Sequence, residues 1–205
     1  MSLNISVATM AYLVCATDRR LTIQPSGQVL TEQSTKLTRF TCADATGFVT
    51  YNGVGKYQGK SPSEWLLDLD SDVRLSAKPL SEVVDLIRVD TQSRINRLPR
   101  NADHRHSFVI CAFLESIPVI AMVSNYESVH RPILNSEPKT DFSSSFLYAD
   151  VDARPKALPP VACVVTGSSH LVDHDRCEVI KATCAVGSRG SRYPKVVHKP
   201  HSKCI

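Results

Sequence analysis

A chain of 205 residues with 42% apolar and 21% charged residues has the size and composition of one globular domain able to bury a real core. Eight glycines exclude a collagen-like repeat, and no apolar run approaches the roughly 18 residues of a membrane-spanning helix. The net charge of +4 is uneven: no acid follows Glu178, while Lys181, Arg189, Arg192, Lys195, Lys199 and Lys203 make that end basic.

The opening half reads as strands. Ile5 to Met10 and Ala11 to Ala16 are short β-prone segments, and Thr17-Asp18-Arg19-Arg20 stands at a strand end. Leu21 to Ile23 continues extended until Gln24-Pro25-Ser26-Gly27 turns the chain. Thr35 to Cys42 alternates, Gly47 to Tyr51 is another strand, and Asn52-Gly53-Val54-Gly55 ends it. Strands this closely spaced form antiparallel hairpins.

Two helices follow. Ser61-Pro62-Ser63-Glu64 is a capping box with proline at the first helical position. From about Pro79 to Leu98, Leu80, Val83, Val84, Ile87, Thr91, Ile95 and Leu98 recur at three- and four-residue steps and mark one buried stripe. Strands then return at Ser107 to Phe113 and Ile117 to Val123, a hairpin around Leu114-Glu115-Ser116, with a further strand at Phe142 to Val151. Val161 to Thr166 is a buried strand, and His170 to Ile180 reads as the last helix. The order is that of an α+β fold with helices packed on sheet faces.

Seven cysteines without a CxxC pair, three of them (Cys15, Cys111, Cys163) inside apolar strands, read as reduced thiols. The N-terminus lacks a basic segment followed by an apolar one, which predicts a soluble, cytoplasmic protein with no membrane association. The basic end has a single aromatic residue, Tyr193, too little for base stacking, so nucleic acid is not an expected partner.

Several short motifs fall in a meaningful order. Asp18-Arg19-Arg20 ends the second strand, Lys36-Leu37 begins a later one, Gly53-Val54-Gly55 precedes the first long helix, and Gly167-Ser168 opens the last. This arrangement resembles the proteasome β-subunit branch of the N-terminal-nucleophile (Ntn) hydrolases over about residues 2–180. The resemblance implies a four-layer αββα sandwich of two antiparallel sheets, spanning residues 1–186 as one domain with 187–205 as a basic tail. It also implies a homo-oligomer, a peptide or amide substrate, and neither cofactor nor metal.

The chemistry of that family uses a side-chain nucleophile whose own α-amino group is the base, since residue one supplies both within hydrogen-bonding reach. Carried onto this chain, the resemblance makes Ser2 the nucleophile once Met1 is removed. Lys36 tunes it, Asp18 orients Lys36, Gly53 donates its N–H to the oxyanion, and Ser168 supports the amine. Each has an ordinary reading beside it. Ser2 is a common second residue, Asp18 fits an exposed strand end, Lys36 a solvent-facing lysine, Gly53 a tight turn and Ser168 a helix N-cap.

The chain departs from the family in two ways. It has serine where that branch uses threonine, and no aspartate occurs after Asp175, so the family's later Asp-x-x-Ser-Gly-Gly segment has only Gly187-Ser188-Arg189-Gly190 as an echo. His170, His174 and Cys177 share helical spacing suited to zinc, but no HExxH glutamate accompanies them. No nucleophile elbow, P-loop or dinucleotide fingerprint occurs. The sequence therefore leaves two readings open: an Ntn-type peptide or amide hydrolase, and a catalytically inactive relative with an assembly or binding role.

Overall fold

The computed structural model describes residues 3–22, 28–127, 129, 137–148 and 161–167. Within them a five-stranded antiparallel sheet forms the centre, built from β5 (Leu37–Thr41), β6 (Ala45–Gly53), β7 (His106–Leu114), β8 (Ile117–Ser124) and β9 (Ser143–Tyr148) in that order. A three-stranded antiparallel sheet places β1 (Leu3–Thr9) between β10 (Val161–Gly167) and β2 (Leu13–Thr17). A short ribbon pairs β3 (Leu21–Thr22) with β4 (Val29–Thr31).

Sheet alternation decides what packs where. Val49, Tyr51, Phe108, Ile110, Ala112, Val119, Ala121 and Val123 turn to one face of the five-stranded sheet and meet the helices. Val109, Cys111, Ile120 and Met122 turn to the other face and meet Ala8, Ala162 and Val164 of the smaller sheet. Helices, sheet and sheet are thus three stacked layers. A four-layer sandwich is expected from the sequence, but its remaining helical layer, at His170 to Ile180, lies outside the described residues. So do the His170, His174 and Cys177 group, the turn at residues 24–27 and the basic end at 187–205.

Helix α1 (Pro62–Val73) starts as its sequence dictates: Glu64 N donates to Ser61 Oγ, and Ser61 N donates to the Glu64 carboxylate at 2.7 Å. It stops where Arg74 turns left-handed, at φ 52°. A 3₁₀ turn at Leu75–Ala77 leads into α2 (Leu80–Ile95), whose buried residues are Leu80, Val83, Val84, Ile87, Thr91 and Ile95. That is the predicted stripe apart from Leu98, which lies past the helix end yet still packs on the core. Asp44, from the turn before β6, accepts the Leu80 N–H at 2.7 Å and ties the helix start to the sheet.

Some strand boundaries differ from expectation for local reasons. The second strand begins at Leu13 rather than Ala11 because Thr9 Oγ1 accepts from Ala11 N and Tyr12 N, closing a turn. β6 runs through Asn52 to Gly53, since those residues still pair with Ser107 and His106.

Candidate functional site

The antiparallel register of β1 sets the geometry at one end of the smaller sheet. Leu3, first residue of β1, pairs with Gly167, last of β10, and Asn4 pairs with both Thr166 and Thr17. Asp18 follows β2 and closes on the same end: its N–H donates to Leu3 O at 3.1 Å, and Leu3 N–H donates to Asp18 Oδ1 at 3.2 Å.

Lys36 reaches this carboxylate from the residue before β5. Its ammonium donates to Asp18 Oδ1 at 3.0 Å and to Arg20 O at 2.6 Å. One carboxylate oxygen therefore receives both a lysine ammonium and the Leu3 amide. The Lys36 side chain is 1% exposed and that of Asp18 30%, so a solvent-facing lysine is not what the fold builds here. Burial pushes the Lys36 ammonium below the ordinary lysine range, with the hydrogen bond and charge of Asp18 working against that shift. The neighbouring arginines face elsewhere. Arg20 pairs with Glu32 at 2.9 Å, and Arg19 donates to Gln33 O.

Gly53 closes β6 at φ 94°, a conformation glycine adopts without the penalty of a Cβ. Its neighbour across the ladder is His106, whose N–H donates to Asn125 Oδ1 and whose carbonyl accepts from Asn125 N, both toward β8. Alternation along an antiparallel pair then turns the Gly53 N–H away from β7. That is the side on which Tyr51 O, two residues earlier, accepts the Asn4 amide at 3.1 Å. The N–H thus points toward the edge where Lys36 enters β5.

Of the five residues that the sequence picks out, the described residues bring Asp18 and Lys36 into direct contact. Gly53 stands at the adjoining end of β6. Ser2 and Ser168 lie outside the described residues, each next to a member of the Leu3–Gly167 pair.

Sequence reasoning missed the polar residues between the sheets at this end. Asn4, Ser6, Thr50, Asn52 and Thr166 are buried, and Asn52 Nδ2 donates to Thr166 Oγ1 at 2.5 Å. Asn4 Oδ1, Thr50 Oγ1 and Asn52 Oδ1 have no hydrogen-bond partner among the described residues. The signal is in β1 itself: Asn4 and Ser6 are polar at inward positions among Leu3, Ile5, Val7 and Ala8.

His106 was missed too. Its His-Arg-His surroundings suggest a loop, but it begins β7, is fully buried, and packs against Tyr51, Trp65 and Phe108. Burial pushes its pKa down to about 3. Among the described residues no group of His, Cys, Asp or Glu could hold a metal ion, and no helix is long and apolar enough to cross a membrane.

No family model matches the chain, and neither does any curated protein. Solved structures do. Anbu (ancestral beta-subunit) from Yersinia bercovieri is 14% identical, with a TM-score of 0.52 over 91% of this chain and 75% of that one. The helical assembly of the Anbu complex from Pseudomonas aeruginosa is 18% identical, with a TM-score of 0.46 over 90% and 75% of the two chains. An Anbu (Gly-1) mutant from Hyphomicrobium sp. strain MC1 is 10% identical, with a TM-score of 0.47 over 89% and 71%.

The chain has a proteasome-related fold. Its likeness is to the Yersinia Anbu (ancestral beta-subunit) chain, and it is a likeness of fold. This corrects the resemblance drawn from sequence: the Yersinia structure that shares the fold is an Anbu chain, and no family model matches to place this chain in the proteasome β-subunit branch. The short motifs at Asp18, Lys36, Gly53 and Gly167 are too few to identify a branch. At 14% identity the similarity is one of backbone fold.

Proposed function

We propose that this chain is an N-terminal-nucleophile hydrolase of peptide or amide bonds, acting through Ser2 after removal of Met1. The observation that carries the reading is the shared oxygen of Asp18. A buried ammonium from Lys36 and the amide of Leu3 converge on it, so the backbone enters β1 beside a positive charge. A cation there lowers the pKa of a nearby hydroxyl and of a nearby amine, which favours the neutral amine a general base must be.

In this reading the Ser2 hydroxyl gives its proton to its own α-amine as the oxygen attacks the substrate carbonyl. The Gly53 N–H receives the oxyanion, and collapse expels the amine leaving group, which takes the proton from the α-ammonium. Water then hydrolyses the ester on Ser2, with the amine again as base. Ser168 supports the α-amine. Asp18 is a positioning residue that holds Lys36. The chain works as a homo-oligomer, a role for which the exposed Leu67 and Val89 of the helical layer supply apolar surface.

The test combines intact mass with labelling by an electrophile specific for N-terminal nucleophiles. The expected result is loss of Met1, an unacetylated Ser2 and one label per chain, absent in Ser2→Ala and slowed roughly 100-fold in Lys36→Met. Retained Met1, acetylated Ser2, or equal labelling of wild type and Ser2→Ala overturns the reading and leaves the fold to a binding or assembly role.

A further inference from the structure

At the end of the sheets that holds the candidate site, side chains hydrogen-bond one sheet to the other. Asn4, Ser6 and Ala8 share one face of β1, the face that Ala8 presents to the five-stranded sheet. Thr50 and Asn52 lie on the face of β6 opposite Val49 and Tyr51, which meet the helices, so they turn toward the smaller sheet. Asn4 Nδ2 donates to Tyr51 O at 3.1 Å, and Asn52 Nδ2 donates to Thr166 Oγ1. Thr166 is in turn the cross-strand partner of Asn4. These links close a ring: from Asn4 to Tyr51, along the chain to Asn52, across to Thr166 of β10, and back through the ladder to Asn4.

The ring is a poor device for stability. Further along the same interior, Ala8, Ala162 and Val164 meet Val109, Ile120 and Met122 without any polar atom. Asn4, Asn52 and Thr166 are at most 2% exposed, and Asn4 Oδ1 and Asn52 Oδ1 have no partner among the described residues. The ring therefore carries the desolvation cost of two amide oxygens that an apolar pair would avoid. What directed hydrogen bonds supply, and apolar contacts do not, is a fixed distance and orientation. The distance fixed here is that between β1 and one stretch of β6 backbone. Tyr51 O belongs to the peptide before Asn52, and the next peptide, Asn52–Gly53, carries the Gly53 N–H. In sequence, Asn4 stands two residues after Ser2 and Thr166 two before Ser168.

We propose that Asn4, Asn52 and Thr166 are positioning residues that set the separation between the start of β1 and the Asn52–Gly53 peptide, and so between nucleophile and oxyanion donor. The role rests on Ser2 as the nucleophile and Gly53 as the donor. All three side chains act through the backbone they hold. An attacking oxygen and its oxyanion donor must be aligned to within about 0.5 Å, and two sheets sliding on apolar side chains do not keep that tolerance. Loss of one link therefore slows the chemical step and leaves substrate binding as it was.

The experiment follows labelling of the full chain by a peptidyl epoxyketone, whose two electrophilic carbons capture a hydroxyl and an α-amine together, over a range of concentrations. Thr166→Val keeps the side-chain shape and removes the acceptor of Asn52, while Asn4→Leu keeps the volume and removes the donor to Tyr51 O. In each, the maximal labelling rate is expected to fall about 10- to 100-fold, with the half-saturating concentration within about twofold of wild type. Thr166→Ser, which restores a hydroxyl, should label within about twofold of wild type. Ser61→Ala, which weakens the α1 cap in the helical layer, controls for lost stability and should label like wild type. A wild-type maximal rate in Thr166→Val or Asn4→Leu, a change in the half-saturating concentration alone, or equal slowing in Thr166→Ser or Ser61→Ala overturns the positioning role and leaves Ser2 as nucleophile. Wild type that takes no label overturns the Ser2 reading and the positioning role with it. Each variant breaks a different link, so if one does not fold the other decides.

Discussion

His106 offers a direct test of the packing between helices and sheet. Its imidazole is fully buried among Tyr51, Trp65 and Phe108, and neither ring nitrogen has a partner among the described residues. Protonating it would place an unpaired charge in an apolar layer, which is why burial lowers its pKa from 6.5 to about 3. Below pH 6.5 the unfolded chain takes up a proton that the folded chain refuses, so stability falls as pH falls until about pH 3. At about 1.36 kcal/mol per pH unit, the loss is about 2 kcal/mol by pH 5 and about 5 kcal/mol by pH 3. Urea unfolding of wild type and His106→Leu at pH 7 and pH 5 isolates this contribution from that of the carboxylates. The variant should lose about 2 kcal/mol less than wild type over that interval. An equal loss in both proteins, or a folded-state imidazole signal titrating near 6.5 by NMR, would refute the reasoning.

Two further predictions concern backbone positions. A Cβ added at Gly53 would lie 1.9 Å from Arg105 O at φ 94°, so Gly53→Ala should cost at least about 2 kcal/mol in chemical unfolding. Gly59→Ala is its control: φ is 82°, but nothing lies within 4 Å, and a loss of only about 1 kcal/mol is expected. Equal losses at the two sites would show that the clash with Arg105 is relieved. Ser61→Ala removes the side-chain half of the α1 capping box and should lower stability by about 1 kcal/mol in chemical unfolding.

What could be read from sequence was what local rules dictate. The capping box fixed the start of α1 to the residue, and the three-and-four spacing named six buried residues of α2. The β7–β8 hairpin came from two apolar runs around a short polar turn, where Glu115 adopts φ 54°. Two short elements escaped notice. β4 is three residues, Val29–Thr31, with two of them exposed, and the 3₁₀ turn at Leu75–Ala77 carries no repeating pattern.

At the candidate site, sequence weighs Asp18 evenly against an exposed strand end and favours a solvent-facing Lys36, whose side chain is instead 1% exposed. Burial of Lys36 depends on β5 entering beneath the β2 end, which is a matter of three-dimensional register that a single alternating strand does not reveal. The same holds for His106, which follows the exposed Arg105 in sequence yet turns into the core. The resemblance to proteasome β-subunits erred in branch for a related reason: the fold is shared with the Yersinia Anbu chain at 14% identity, where four short motifs carry little information.

The pairing of β1 with β10 has a consequence for biosynthesis. β1 is made first, yet one of its two neighbours begins at Val161, while residues 37–148 supply a five-stranded sheet and two helices that close among themselves. At ribosomal rates of about 5–20 residues per second, β1 waits roughly 10–30 s for that partner, held meanwhile only in a hairpin with β2 of the kind that is marginal alone. The growing polypeptide therefore bears an open edge on β1 (Leu3–Thr9) until β10 has emerged.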